Sequence, residues 1–110
     1  MSFALSPVFR QASIIPQSSV AAGSITGSYT LVGTLFEQGV ICLILYSSLN
    51  AAVQLSLDGS VDFIPMPAGG TLIIDIKSDQ AAFGGWRGVY VKTLGSPSTG
   101  SLYVGAIGVE

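Results

Sequence analysis

The sequence predicts an all-β fold: a single antiparallel β-sandwich or jelly roll of about seven to eight short strands, with an extended N-terminal arm. Three observations carry this expectation. Val53, Leu55 and Leu57 alternate with Gln54, Ser56 and Asp58, the period of a half-buried strand. Clusters of Gly, Pro, Ser and Asp punctuate the chain at strand-length intervals. Nowhere do apolar residues recur at the i, i+3, i+4 spacing of an amphipathic helix. A chain of 110 residues makes one domain with a modest core. The expected division is an arm over residues 1–17 and a sandwich over residues 18–110.

Within the arm, Phe3, Leu5, Val8, Phe9, Ile14 and Ile15 are interrupted by Pro7 and Pro16. Prolines at this spacing favour extended backbone over helix. Bulky apolar residues on a free tail are a liability in water, so the arm is expected to pack on its own sandwich or on a neighbouring subunit. A first edge strand with a disordered tip is the other reading. Ser19 to Ala22 reads as a short strand ended by Gly23. Ser24 to Leu35 is rich in β-branched residues, with Ile25, Tyr29 and Leu31 on one face.

Glu37-Gln38-Gly39 reads as a turn. Val40 to Tyr46 is uniformly apolar, as a central strand covered on both faces would be. Its covering partners need not all come from the same chain. After a loop over Ser47 to Asn50, the Val53 strand runs to Asp58-Gly59, where Gly tolerates positive φ and Asp bonds its own backbone. The chain returns through Val61 to Ile64. Pro65 and Pro67, which lack backbone donors, are expected to end that strand. Leu72, Ile74 and Ile76 begin another alternation, and the whole stretch reads as a β-meander.

Ser78 to Gly85 reads as the longest irregular loop, with Phe83 and Trp86 near its tip. Trp86 is either an interface anchor or a plug for the open end of the sandwich. Arg87 to Leu94 is a strand with Val89 and Val91 inward and Tyr90 and Lys92 outward. Gly95 to Gly100 is built from turn residues. Ser101 to Val109 is the last strand, with Leu102, Val104 and Ala106 on one face and Tyr103, Ile107 and Val109 on the other. Both of its faces are apolar.

Composition narrows the function. Hydrophobic residues make up 49% and charged residues 9% of the chain, against about 25% charged in a typical soluble domain. A surface this poor in charge is expected to be covered by other protein. Lipid is not expected: Val40 to Tyr46 is far shorter than the roughly 20 residues of a spanning helix. The first residues lack the basic start and apolar core of a secretory signal. Net charge is −2, and Arg10, Lys77, Arg87 and Lys92 are scattered, so no basic patch for nucleic acid is expected. Cys42 stands alone in an apolar strand and cannot form an internal disulfide, which suits a reducing cytoplasm.

Catalytic chemistry finds no foothold. The chain has no histidine, which removes histidine-based triads and histidine–metal sites. Asp58 and Asp62 flank one hairpin, but a glycosidase pair acts across a cleft that nothing here builds. The same stretch holds too few oxygens, at the wrong intervals, for a calcium loop. Gly69-Gly70 and Gly84-Gly85 lack the lysine and the strand–helix setting of a phosphate loop. No enzyme and no cofactor are expected.

From about Ser28 to Val109 the chain resembles a group of small tailed-bacteriophage virion proteins. The resemblance rests on Tyr29-Thr30-Leu31-Val32-Gly33, on Ser56-Leu57-Asp58-Gly59-Ser60-Val61-Asp62, and on Pro67-Ala68-Gly69-Gly70 before a strand holding Asp75. It continues in Gly88-Val89-Tyr90-Val91-Lys92 and in Pro97-Ser98-Thr99-Gly100-Ser101-Leu102-Tyr103-Val104. It implies a β-sandwich or jelly-roll accessory of the phage particle, made in the bacterial cytoplasm and ending in the virion. Its role would be capsid cement or decoration, bridging major capsid subunits as a homotrimer, or else a tail, neck or fibre-base component. The interface residues expected from the sequence are Phe3, Leu5, Val8, Phe9, Phe83, Trp86, Tyr90 and Tyr103. A carbohydrate- or receptor-binding module, with Trp86, Tyr90 and Tyr103 as stacking platforms, is a third possibility.

Overall fold

The computed structural model describes residues 12–36, 39–75 and 88–109. These contain eight strands: β1 (Ala12–Ala21), β2 (Thr30–Leu31), β3 (Gly39–Ser47), β4 (Val53–Ser56), β5 (Asp62–Met66), β6 (Thr71–Asp75), β7 (Tyr90–Thr93) and β8 (Ser101–Val109). The only helical turn among the described residues is a single 3-10 turn, Ala22–Ser24. The strands form two antiparallel four-stranded sheets, ordered β1-β8-β3-β6 and β2-β7-β4-β5. Strands pair in nested fashion, first with last and fourth with fifth, and successive pairs go to alternate sheets. This is the strand order of a jelly roll, a sandwich made by folding one long hairpin over itself.

The core lies between the sheets. One sheet contributes Leu43 and Leu45 from β3 and Leu102, Val104 and Ala106 from β8. The other contributes Val53 and Leu55 from β4, Met66 from β5 and Val91 from β7. Burying each large aliphatic side chain stabilises by about 1.5–3 kcal/mol. The period-2 pattern of β8 reads directly: alternate residues from Leu102 to Gly108 are buried.

Several expectations are corrected. β1 begins at Ala12, so the sandwich starts inside the expected arm of residues 1–17: residues 12–17 include an edge strand paired with β8, which is the edge-strand reading of that segment. Pro16 is tolerated because the register shifts between Ile15 and Ser18, a bulge on a sheet edge. The Ser24–Leu35 stretch forms only the two-residue β2. Pro65 does not end β5, which runs on to Met66 opposite Val53. Because β5 is an edge strand, Pro65 can lack a donor without breaking a ladder.

The expected meander is also absent. β5 and β6 lie in different sheets, and the turn Pro67–Gly70, closed by the Gly70 N–H donating to the Pro67 carbonyl at 3.0 Å, carries the chain between them. β4 is covered on both faces, where a half-buried strand was expected. Its outward Gln54 lies between Lys92 and Pro65, and its outward Ser56 between Tyr90 and Asp62. Flanked on both sides within the sheet, both side chains are buried. β3 shows the reverse: it is central in its sheet, yet Ile44 and Tyr46 are exposed. A bulge between Val40 and Cys42 sets which residues face inward, so Val40 and Leu43 are both buried.

Candidate functional site

The outer face of the β1-β8-β3-β6 sheet is the molecule's most unusual surface. Strand alternation puts Cys42, Ile44 and Tyr46 of β3 there, beside Tyr103, Gly105 and Ile107 of β8. On the far side of β3, Ile73 sits opposite Ile44 and Thr71 opposite Tyr46. On the far side of β8, Ile14 sits opposite Ile107. Ile73 is 62% exposed and Ile14 85%. The Tyr46 and Tyr103 rings stack with centroids 5.9 Å apart and planes 24° from parallel. Gly105 has no side chain, and Gln17, Ile44, Tyr46 and Tyr103 line a shallow depression of about 450 Å³ around it.

Among the described residues, Asp75 at the end of β6 is the only charged side chain whose register places it on this face. Contiguous apolar surface of this kind marks an interaction site more often than chance exposure does. Cys42, the lone cysteine of the apolar strand, is half-buried on this same face.

The opposite sheet carries the charge. Lys92 on β7 lies 3.5 Å from the Asp62 carboxylate on β5 and 4.7 Å from the centre of the Tyr29 ring. The Tyr29 hydroxyl donates to the same carboxylate. Partial desolvation, and then this bond, push the Tyr29 phenol up to about 12. The Tyr29 bond, followed by Lys92, holds the Asp62 carboxyl below its ordinary range.

Asp58 is engaged separately. Its Oδ1 accepts the Ser60 and Val61 N–H groups at 2.9 Å and the Ser56 hydroxyl at 3.1 Å. These bonds, Val61 first, hold its carboxyl low as well. Gly59 completes the turn at φ 86°, with the Tyr90 ring packed against the space its missing side chain would fill. Both carboxylates are ionised near neutrality and spoken for by local partners. They organise a turn and a salt-bridged cluster, with no group of three or more metal-ligating residues among the described ones.

Of the eight residues expected at an interface, Phe3, Leu5, Val8, Phe9, Phe83 and Trp86 lie outside the described residues. Tyr103 lies in the apolar face. Tyr90 does not join it: it alternates with buried Val89 and Val91, so it faces outward from the other sheet. Tyr90 and Tyr103 therefore cannot share one stacking platform. Sequence reasoning missed Ile14, Ile44, Tyr46 and Ile73. The available signal was the unbroken apolar run in β3, which was assigned to two covered faces. No family model, no curated protein and no solved structure matches this chain.

Proposed function

We propose that the chain is a structural protein of a tailed-bacteriophage particle, made in the host bacterial cytoplasm. In this role it seats the outer face of the β1-β8-β3-β6 sheet on other virion subunits, with the major capsid protein as partner. It acts as capsid cement in a homo-oligomer, a trimer at three-fold points of the lattice, and performs no catalysis. The observation that carries this proposal is the broad apolar outer face, with Ile44, Tyr46 and Ile73 open to solvent in the single chain, Tyr103 half-buried beside them and Asp75 as the one charge placed there among the described residues. The particle family itself comes from the motif resemblance between Ser28 and Val109.

The mechanism is mechanical. Burying apolar surface stabilises a contact by about 25 cal/mol per Å². Bridging two neighbouring capsid subunits therefore opposes their separation under the pressure of packaged genome. Aromatic side chains such as Tyr46 and Tyr103 anchor contacts of this type, since Tyr is enriched among binding hot spots. The charged cluster on the other sheet stays toward solvent and keeps the particle soluble.

Protein mass per purified virion tests this. Cement requires hundreds of copies. About a dozen or fewer, the stoichiometry of a symmetric ring, would reject cement in favour of a tail, neck or fibre-base position. Absence from the virion would reject the structural role altogether.

A further inference from the structure

Three of the four sheet edges are closed to further pairing. β1 carries Pro16 and a bulge between Ile15 and Ser18. β2 is two residues long. β5 carries Pro65 and a bulge that leaves Phe63 without an opposite residue on β4. Proline, bulges and short strands are the usual means of stopping an edge from recruiting another strand. β6 has none of them. Thr71–Asp75 runs in unbroken register beside β3, without proline or basic side chain, and no described strand lies beyond it.

The backbone groups on that edge follow from one bond. The Ser47 N–H donates to the Gly70 carbonyl at 2.9 Å. Hydrogen-bonded and non-bonded pairs alternate along an antiparallel ladder. Leu72 and Ile74 therefore turn their N–H and C=O groups toward Leu45 and Leu43 of β3. Thr71, Ile73 and Asp75 turn theirs to the open edge.

We propose that β6 is a self-pairing edge: two copies of this chain join antiparallel through Thr71–Asp75, about a two-fold axis at Ile73. In this register Ile73 meets the second copy's Ile73, and Thr71 meets the second copy's Asp75 at each end. Every outward N–H and C=O of the strand finds a partner. The Thr71 hydroxyl is placed to donate to the opposing carboxylate, a favourable cross-strand pair. The two Asp75 charges lie about 13 Å apart along the ladder, from four steps of about 3.3 Å. Moving the axis to Leu72 or Ile74 loses the match of Asp75 with Thr71. The described strand Thr71–Asp75 is thus complementary to itself about Ile73.

Pairing makes one continuous eight-stranded sheet and joins the two apolar outer faces. Four strands at about 4.8 Å spacing, the longest about 30 Å, give one face a plan area of about 500 Å². A joined pair doubles the continuous apolar face that one copy presents. The pairing does not depend on the virion assignment. A two-fold contact is also distinct from a three-fold ring, so it either links trimers or replaces them.

Sedimentation equilibrium of the full chain tests it. The expected result is a doubled species, either two chains or two linked trimers, that Ile73→Pro halves while far-ultraviolet circular dichroism stays unchanged. Proline here removes an outward N–H only. Ile73→Cys in a Cys42→Ser background supplies the second measurement. Opposed residues in a hydrogen-bonded antiparallel pair have Cα atoms about 5.5 Å apart, within disulfide range, so mild oxidation should give a covalent dimer in high yield. A wild-type monomer at high concentration overturns the proposal, as does any oligomer that survives Ile73→Pro and fails to cross-link through Ile73→Cys. Either result leaves virion copy number free to be measured independently.

Discussion

At Gly100 the backbone takes φ 90°, and a Cβ there would stand 2.0 Å from the Ser48 carbonyl oxygen. The close approach is held by the Ser48 N–H donating to the Ser101 carbonyl at 2.8 Å and the Ser101 N–H donating to the Ser48 hydroxyl at 2.9 Å. Left-handed strain costs a non-glycine residue about 1–3 kcal/mol, and here a backbone clash is added. Gly100→Ala should lose at least about 3 kcal/mol in urea unfolding, a large share of a typical total of about 5–15 kcal/mol. Gly105→Ala is the control. Its Cβ would meet nothing closer than the Ile44 carbonyl oxygen at 4.0 Å, so its cost should stay within about 0.5 kcal/mol.

Protonation acts at the same scale. The Tyr29 phenol is raised to about 12, so its contribution to stability is complete below about pH 10 and is lost as pH climbs through 12. Asp58 and Asp62 are lowered, so theirs is complete above about pH 4 and is lost as pH falls through their native values. Urea midpoints should form a plateau between those limits. In Asp62→Asn the Tyr29 phenolate, followed by ultraviolet titration, should appear at lower pH than in the wild type. Desolvation should still keep it above 10.

β3 shows what a strand's pattern can and cannot convey. Its existence and central position were legible from seven apolar residues in a row. Their covering was not, because an unbroken run looks the same whether the second face meets the same chain or stands open. The bulge at Ile41 was hidden too, since an extra residue in a ladder leaves no mark on a uniformly apolar stretch. Leu45→Ala should cost about 2–5 kcal/mol, the range for a core leucine. Ile44→Ala, one residue away on the open face, should cost under about 1 kcal/mol in the isolated chain. If the outer face docks on a capsid, Ile44→Lys should fold normally yet bind depleted particles at least about tenfold more weakly, as pull-down would report. The β4–β5 hairpin was the most legible element, because Asp58 and Gly59 each have a stereochemical reason to sit in that turn. Pro65 misled, because a proline ends a strand only where its missing donor was needed.

Over the whole molecule, turn spacing and alternation were enough to predict a sandwich of this size. They did not say which strands share a sheet. Partners in a nested fold are set by tertiary packing, so β6 looked like the next strand of a meander when it belongs beside β3. The segregation of charge was equally invisible until the faces were known. Asp58, Asp62 and Lys92 gather around one sheet, and the other is left with Asp75 alone among the described residues.

Because β8 lies between β1 and β3, the described strand synthesised after all the others is the one both of its neighbours wait for. The central hairpin can close early, but each outer pair must bridge a longer span of chain, which slows folding. Synthesis and completion of the structure are therefore uncoupled: half a chain has no half-sandwich to occupy, and β1 must stay unpaired until translation has passed Val109.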